Sequence, residues 1–85
     1  YQIDLSGRVI KSFASPGTWP AGLAFDGKYL WHCDTVADLI YQIDLSGRVI
    51  KSFASPGTSP RELAFDGKYL WNCDDSTDKI YQIRR

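Results

Sequence analysis

The sequence predicts an all-β fold built from repeated four-stranded antiparallel sheets, and three observations predict it. The stretch Leu-Ala-Phe-Asp-Gly-Lys-Tyr-Leu-Trp, from Leu23 to Trp31, returns letter for letter from Leu63 to Trp71. Residues 1–40 match residues 41–80 at 32 of 40 positions without a gap, and Tyr81-Gln82-Ile83 opens a third copy. No stretch carries a helical period with caps, so helical repeats such as tetratricopeptide, ankyrin or HEAT are set aside.

Within one period the apolar runs and turn residues place four strands. Strand A covers residues 22–26 and strand B residues 29–34, joined by Asp26-Gly27. Asp-Gly between two β-prone runs signals a hairpin on a type I′ turn, in which both central residues take positive φ. The loop 34–38 leads to strand C, residues 39–45, and Ser46-Gly47 turns the chain into strand D, residues 48–53. The linker 54–60 holds two prolines and a glycine, which exclude both a helix and a central strand there.

Strand C is apolar on both faces, with Leu39, Tyr41 and Ile43 on one and Ile40 on the other. A sheet stacked between two other sheets needs this pattern; a sheet with one wet face would alternate cleanly. Strand D is the most polar, through Arg48, Lys51 and Ser52, as suits an outer edge where charge discourages stray pairing. Four antiparallel strands in a 40-residue period describe a β-propeller blade.

The run Gly-Leu-Ala-Phe-Asp-Gly-Lys-Tyr-Leu-Trp, followed by Ile-Tyr-Gln-Ile-Asp-Leu-Ser-Gly-Arg-Val, resembles a blade of the bacterial and archaeal propellers that include streptogramin lyase, glutamine cyclotransferase and the NHL-type propellers. The Gly-His and Trp-Asp signature of WD40 blades is missing, as is the Gly-Gly of kelch. The resemblance covers the whole chain and implies the scaffold more than an activity, because such blades serve unrelated functions. Streptogramin lyase likeness implies catalytic His and Glu residues, but no motif maps them onto this chain.

The strand order is C-D, then A-B-C-D, then A-B-C. Residues 1–13 carry two strands of a shared blade, 22–53 a complete blade, and 62–85 three strands of a second shared blade. Alone, such a chain leaves apolar faces and open edges in water. A head-to-tail homo-oligomer closing into a ring is the expected remedy. A homotrimer of six blades is preferred, with a homotetramer of eight as the alternative. Residues 81–83 duplicate residues 1–3, so two segments compete for strand C of the shared blade. Residues 1–5 are expected to win, tied to strand D by the Ser6-Gly7 turn, with Arg84 and Arg85 as a frayed tail.

Composition bounds the function. Ten basic and ten acidic residues cancel, which argues against a nucleic-acid partner. No apolar run is long enough to cross a membrane, and no basic segment followed by an apolar one opens the chain. No Met occurs anywhere, so the chain reads as trimmed, processed or excised, and its compartment is not legible. Cys33 and Cys73 occupy equivalent places without a Cys-x-x-Cys or His partner and read as free, buried strand thiols.

All eight differences between the copies fall in or beside the loops that a propeller gathers on one face: Trp19/Ser59, Ala21/Arg61, Gly22/Glu62, His32/Asn72, Thr35/Asp75, Val36/Ser76, Ala37/Thr77 and Leu39/Lys79. Drift after duplication explains them; so does diversification for binding, since rigid scaffolds place binding residues on loops. Trp19 is the sharpest candidate, a stacking surface for a glycan or other flat small molecule, or else a plug between blades. Arg61, Glu62, His32 and Asp75 complete the candidate ligand-binding set. Arg61 and Glu62 could reach the Trp19 loop across a blade boundary, and His32 reads as a hydrogen-bonded structural residue. Trp31 and Trp71 read as core. Asp74-Asp75-Ser76-Thr77-Asp78 is rich in oxygens but lacks the Gly and distal Glu of a calcium loop, and Asp34 and Asp38 are expected to hold the B–C turn. No nucleophile–base pair, phosphate loop, cofactor motif or metal-ligand spacing stands out. A binding or interaction module is therefore the expected function. A purely structural repeat fragment is the alternative, and a lyase or cyclotransferase the third possibility.

Overall fold

The computed structural model describes residues 1–84, so the expected fraying at Arg85 lies outside the described residues. The chain is all-β, with nine strands and no helix among the described residues. β1 (Gln2–Ile3) and β2 (Val9–Lys11) form a two-stranded ribbon. β3 (Pro20–Phe25), β4 (Leu30–Asp34), β5 (Leu39–Ile43) and β6 (Val49–Ala54) form a four-stranded meander in chain order. β7 (Pro60–Phe65), β8 (Leu70–Asp74) and β9 (Lys79–Ile83) form a three-stranded one. All neighbours are antiparallel.

Three local expectations are corrected. The Asp26-Gly27 connection is not a two-residue type I′ turn. Phe25 and Leu30 are the last pair before it, leaving the four residues 26–29 outside the ladder. Only Gly27 takes positive φ, at 97°. The cause is the Asp26 carboxylate. Its Oδ1 accepts the N–H groups of Lys28 and Tyr29 at 2.9 and 2.8 Å, and its Oδ2 accepts the Trp31 indole N–H at 2.8 Å. A side chain that satisfies the turn's donors stabilises a wider loop than the backbone alone would favour. Asp66 repeats the arrangement with Lys68, Tyr69 and Trp71.

The second correction concerns the prolines. Strands β3 and β7 begin at Pro20 and Pro60, two residues before the expected start of strand A; each stands at the edge of its sheet, so the prolines enter no central strand. Proline is tolerated at the first residue of a strand, where its missing N–H breaks no ladder bond. A register shift follows at once, between Pro20 and Gly22 and between Pro60 and Glu62. Strand C ends at Ile43, earlier than expected, because Asp44 caps the 44–48 loop by accepting from Ser46 N–H, Ser46 Oγ–H and Arg48 N–H.

The two larger sheets pack face to face. Trp31, Cys33 and Ile40 of the four-stranded sheet meet Leu63 and Leu70 of the three-stranded sheet, with Ala24, Phe53, Phe65 and Ile83 around them. Both sheets present the same two faces by alternation along the strands. Call the face with Leu23, Leu30 and Ile43 the leading face and the face with Trp31, Cys33 and Ile40 the trailing face. The core joins the trailing face of the first sheet to the leading face of the second, where Leu63 and Leu70 stand at the positions of Leu23 and Leu30. Near one end the approach is closest: a Cβ on Gly22 would stand 2.7 Å from the Glu62 Cα. The β1–β2 ribbon lies on the other side of the first sheet, held by Lys11 Nζ–H donating to the Leu45 carbonyl at 2.6 Å. Between ribbon and sheet runs a groove of about 690 Å³, lined by Leu23, Phe25, Leu30, His32 and Ile43 among others.

Candidate functional site

Four of the eight variable positions lie on the loops 12–19 and 35–38 of the first repeat and 55–59 and 75–78 of the second; the other four stand on the strands beside them, at 21, 22, 32 and 39 and at 61, 62, 72 and 79. One buried carboxylate organises each loop pair. Asp34 Oδ2 accepts the Trp19 N–H at 2.9 Å, and Oδ1 accepts the Val36 and Ala37 N–H groups at 2.9 and 2.8 Å. Burial alone would raise the Asp34 pKa; the donors from Ala37, Trp19 and Val36 outweigh it and hold the carboxylate below its usual range. Asp74 does the same for Ser59, Ser76 and Thr77. The Ser76 hydroxyl adds a 2.6 Å bond and is the largest cause of a pKa lowered to about 2. Asp34 therefore holds its turn as expected. Asp38 acts otherwise: it takes a left-handed backbone with φ of 57°, and its buried Oδ1 meets no hydrogen-bond partner among the described residues.

Trp19 stands on this frame. Its N–H is held by Asp34 and its carbonyl accepts the Thr35 N–H at 3.3 Å, while the residue remains 65% exposed. The same bond brings the loop bearing exposed Val36 alongside. The first repeat thus offers an apolar loop surface on a fixed backbone.

The second repeat is polar at the same place. Arg61 and Asp75 form an ion pair at 3.4 Å, and Thr58 Oγ1–H donates to Ser76 Oγ at 3.0 Å. Ala21 and Thr35 stand at the positions of Arg61 and Asp75 in the first repeat, so two of the eight differences form one contact. Of the five candidates, Arg61 and Asp75 are brought together. Arg61 engages Asp75 rather than the Trp19 loop, and Glu62 is exposed on β7.

His32 is buried behind the loops. Its Nδ1–H donates to the Gly22 carbonyl at 3.2 Å, because a carbonyl can only accept; in the neutral ring Nε2 then accepts the Ser15 hydroxyl at 3.2 Å. The ring stacks on Tyr41 with centroids 5.8 Å apart. Asn72, its counterpart, donates Nδ2–H to the Glu62 carbonyl at 3.0 Å. His and Asn thus perform one structural task, tying β4 to β3 and β8 to β7.

The Ser15–His32 contact is a hydroxyl–imidazole pair that the sequence did not reveal, since 17 residues separate the partners. A backbone carbonyl rather than a carboxylate orients the imidazole, and Ser15 Oγ already accepts the Gly17 N–H at 3.2 Å. Both engagements are those of a loop clasp. Among the described residues no three His, Cys, Asp or Glu side chains form a metal-holding group. Cys33 is a free, buried thiol, pushed by burial up to about 11; Cys73 is a free thiol, half-buried. Trp31 is fully buried as expected and Trp71 only partly so. Comparison with protein-family models and with curated proteins returns no match.

Proposed function

We propose that the chain is a two-blade β-propeller unit that joins copies of itself head to tail into a closed ring and presents its loops as a binding face. One observation carries the assembly: identical residues at equivalent positions differ in exposure according to whether a neighbouring sheet is present. Leu63 on β7 is 6% exposed, covered by the first sheet, whereas Leu23 at the same place on β3 is 61% exposed. Ile40 is fully buried and Ile80, its counterpart on β9, is 74% exposed. The surfaces left open are the Leu23 and Phe25 end of the leading face of the first sheet, which the β1–β2 ribbon covers only in part, and the trailing face of the second. These are the two faces that already fit each other inside the chain, so a second copy supplies what each lacks. The likeness to streptogramin lyase, glutamine cyclotransferase and NHL-type blades supports the same architecture.

Light scattering on a size-exclusion column tests it. The expected result is one species at three times the 9.6 kDa chain mass, with four times as the alternative ring. A folded monomer at working concentration would overturn the assembly.

The binding face is supported by Trp19, an exposed indole on a backbone pinned at both its N–H and its carbonyl. A preformed aromatic platform suits a sugar ring or a planar small molecule. Titration of a glycan and metabolite panel against tryptophan fluorescence should find a ligand whose signal disappears in Trp19→Ala while the oligomer mass is unchanged. A panel with no response, and a Trp19→Ala variant altered only in stability, would leave a purely structural ring.

A further inference from the structure

We propose that β9 is the permanent third strand of the shared blade, and that a second copy completes this blade by exchanging its own β1 for β9 along the edge of its β2. The exchange rests on the head-to-tail assembly proposed above and names which segments pair.

The third strand of a sheet supplies a core residue. In the complete sheet Ile40 is fully buried, pairs with Cys33 on one side and Phe53 on the other, and belongs to the central cluster. β1 is a strand of only two residues, both exposed, and Gln2-Ile3 repeats Gln42-Ile43. β9 carries Lys79 and Ile80 at the positions of Leu39 and Ile40. It pairs with β8 over its whole length, from Leu70 opposite Ile83 to Asp74 opposite Lys79.

The outer edge of β9 has no strand beside it among the described residues, and its complement lies in the chain itself. On β5 that edge pairs with β6 through Leu39–Ala54, Ile40–Phe53, Tyr41–Ser52, Gln42–Lys51 and Ile43–Val49. Residues 9–14 repeat residues 49–54 letter for letter, and Ile80-Tyr81-Gln82-Ile83 repeats residues 40–43. A second copy's residues 9–14 therefore fit β9 in an established register. Phe13 of that copy would cover Ile80, now 74% exposed, as Phe53 covers Ile40. Its Lys11 would lie over Trp71 as Lys51 lies 5.8 Å from the Trp31 ring. In the single chain β2 is paired only to β1, a strand of two exposed residues with an irregular register. Five ladder positions replace two, so the longer strand displaces the shorter.

Hydrogen exchange read by mass spectrometry on the assembled full chain tests this. The amides of Ile80–Ile83 should exchange roughly a hundredfold more slowly than those of Gln2–Leu5, as paired core strands do relative to released termini. A variant lacking residues 1–5 should keep the oligomeric mass. An oligomer in which residues 2–5 are protected and 80–83 exchange freely would overturn the strand exchange alone. So would a folded, monomeric truncation. A full-length chain that is monomeric would overturn the assembly and the exchange together.

Discussion

At the scale of single residues, the fold rests on carboxylates aimed at backbone donors. Asp4, Asp34, Asp44, Asp66 and Asp74 all have pKa values below the ordinary carboxylate value of 3.8. Each is bound less readily by a proton in the folded chain than in the unfolded one. Their stabilisation is therefore complete above about pH 4 and is lost as pH falls toward 2, where Asp74 titrates. Urea denaturation between pH 2 and pH 6 should show the midpoint falling steeply below pH 4. A midpoint flat across that range would show that these bonds do not distinguish the two states. Gly22 is a second critical residue. A methyl there would meet the Glu62 backbone at 2.7 Å, and backbone cannot step aside as a flexible side chain can. Gly22→Ala is expected to cost about 1–3 kcal/mol of stability, measured by denaturant unfolding, through separation of β3 from β7.

At the scale of elements, the repeated sheet was largely legible and its edges were not. The alternation of apolar residues placed all four strands of the period, and the meander order followed from their short connections. The starts of β3 and β7 were missed because residues 54–60, with two prolines and a glycine, read as linker, although an edge strand can open on proline without losing a ladder bond. The 26–29 turn was misread because Asp-Gly has a strong backbone preference that the Asp26 side chain overrides. Two pairings lay beyond any pattern in the letters. His32 and Asn72 differ chemically yet bind equivalent carbonyls, and Arg61 reaches Asp75 fourteen positions away in sequence. That last pair is largely exposed, so Arg61→Ala should change stability by no more than about 0.5 kcal/mol in a denaturant titration. A loss several times larger would mean that the loop depends on the pair.

At the scale of the whole molecule, the informative contrast is between identical letters in different surroundings. Sequence alone could not separate Leu23 from Leu63 or Ile40 from Ile80; the presence or absence of a neighbouring sheet or strand does. The same contrast gives a chemical probe. Cys33 is sealed between the sheets, whereas Cys73 lies on the uncovered trailing face and is only half-buried. Iodoacetamide should label Cys73 in dilute, dissociated chains and leave Cys33 untouched, and Cys73 labelling should slow at least tenfold at concentrations where the ring forms. Equal labelling of Cys73 in both regimes would place that face outside the contact.

Gly22 carries one more consequence for such a ring. The junction inside a chain is tight because glycine offers no side chain toward the next sheet. At a junction between chains Glu62 would occupy that position, and its Cβ would forbid the same approach. The duplicated halves have therefore ceased to be interchangeable: snug seams within chains would alternate with looser, carboxylate-lined seams between them. Glu62→Gly would make the seams alike and tighten the hold of each chain on the next. In the wild-type ring water would enter first, and the circle would part first, once per chain, beside Glu62.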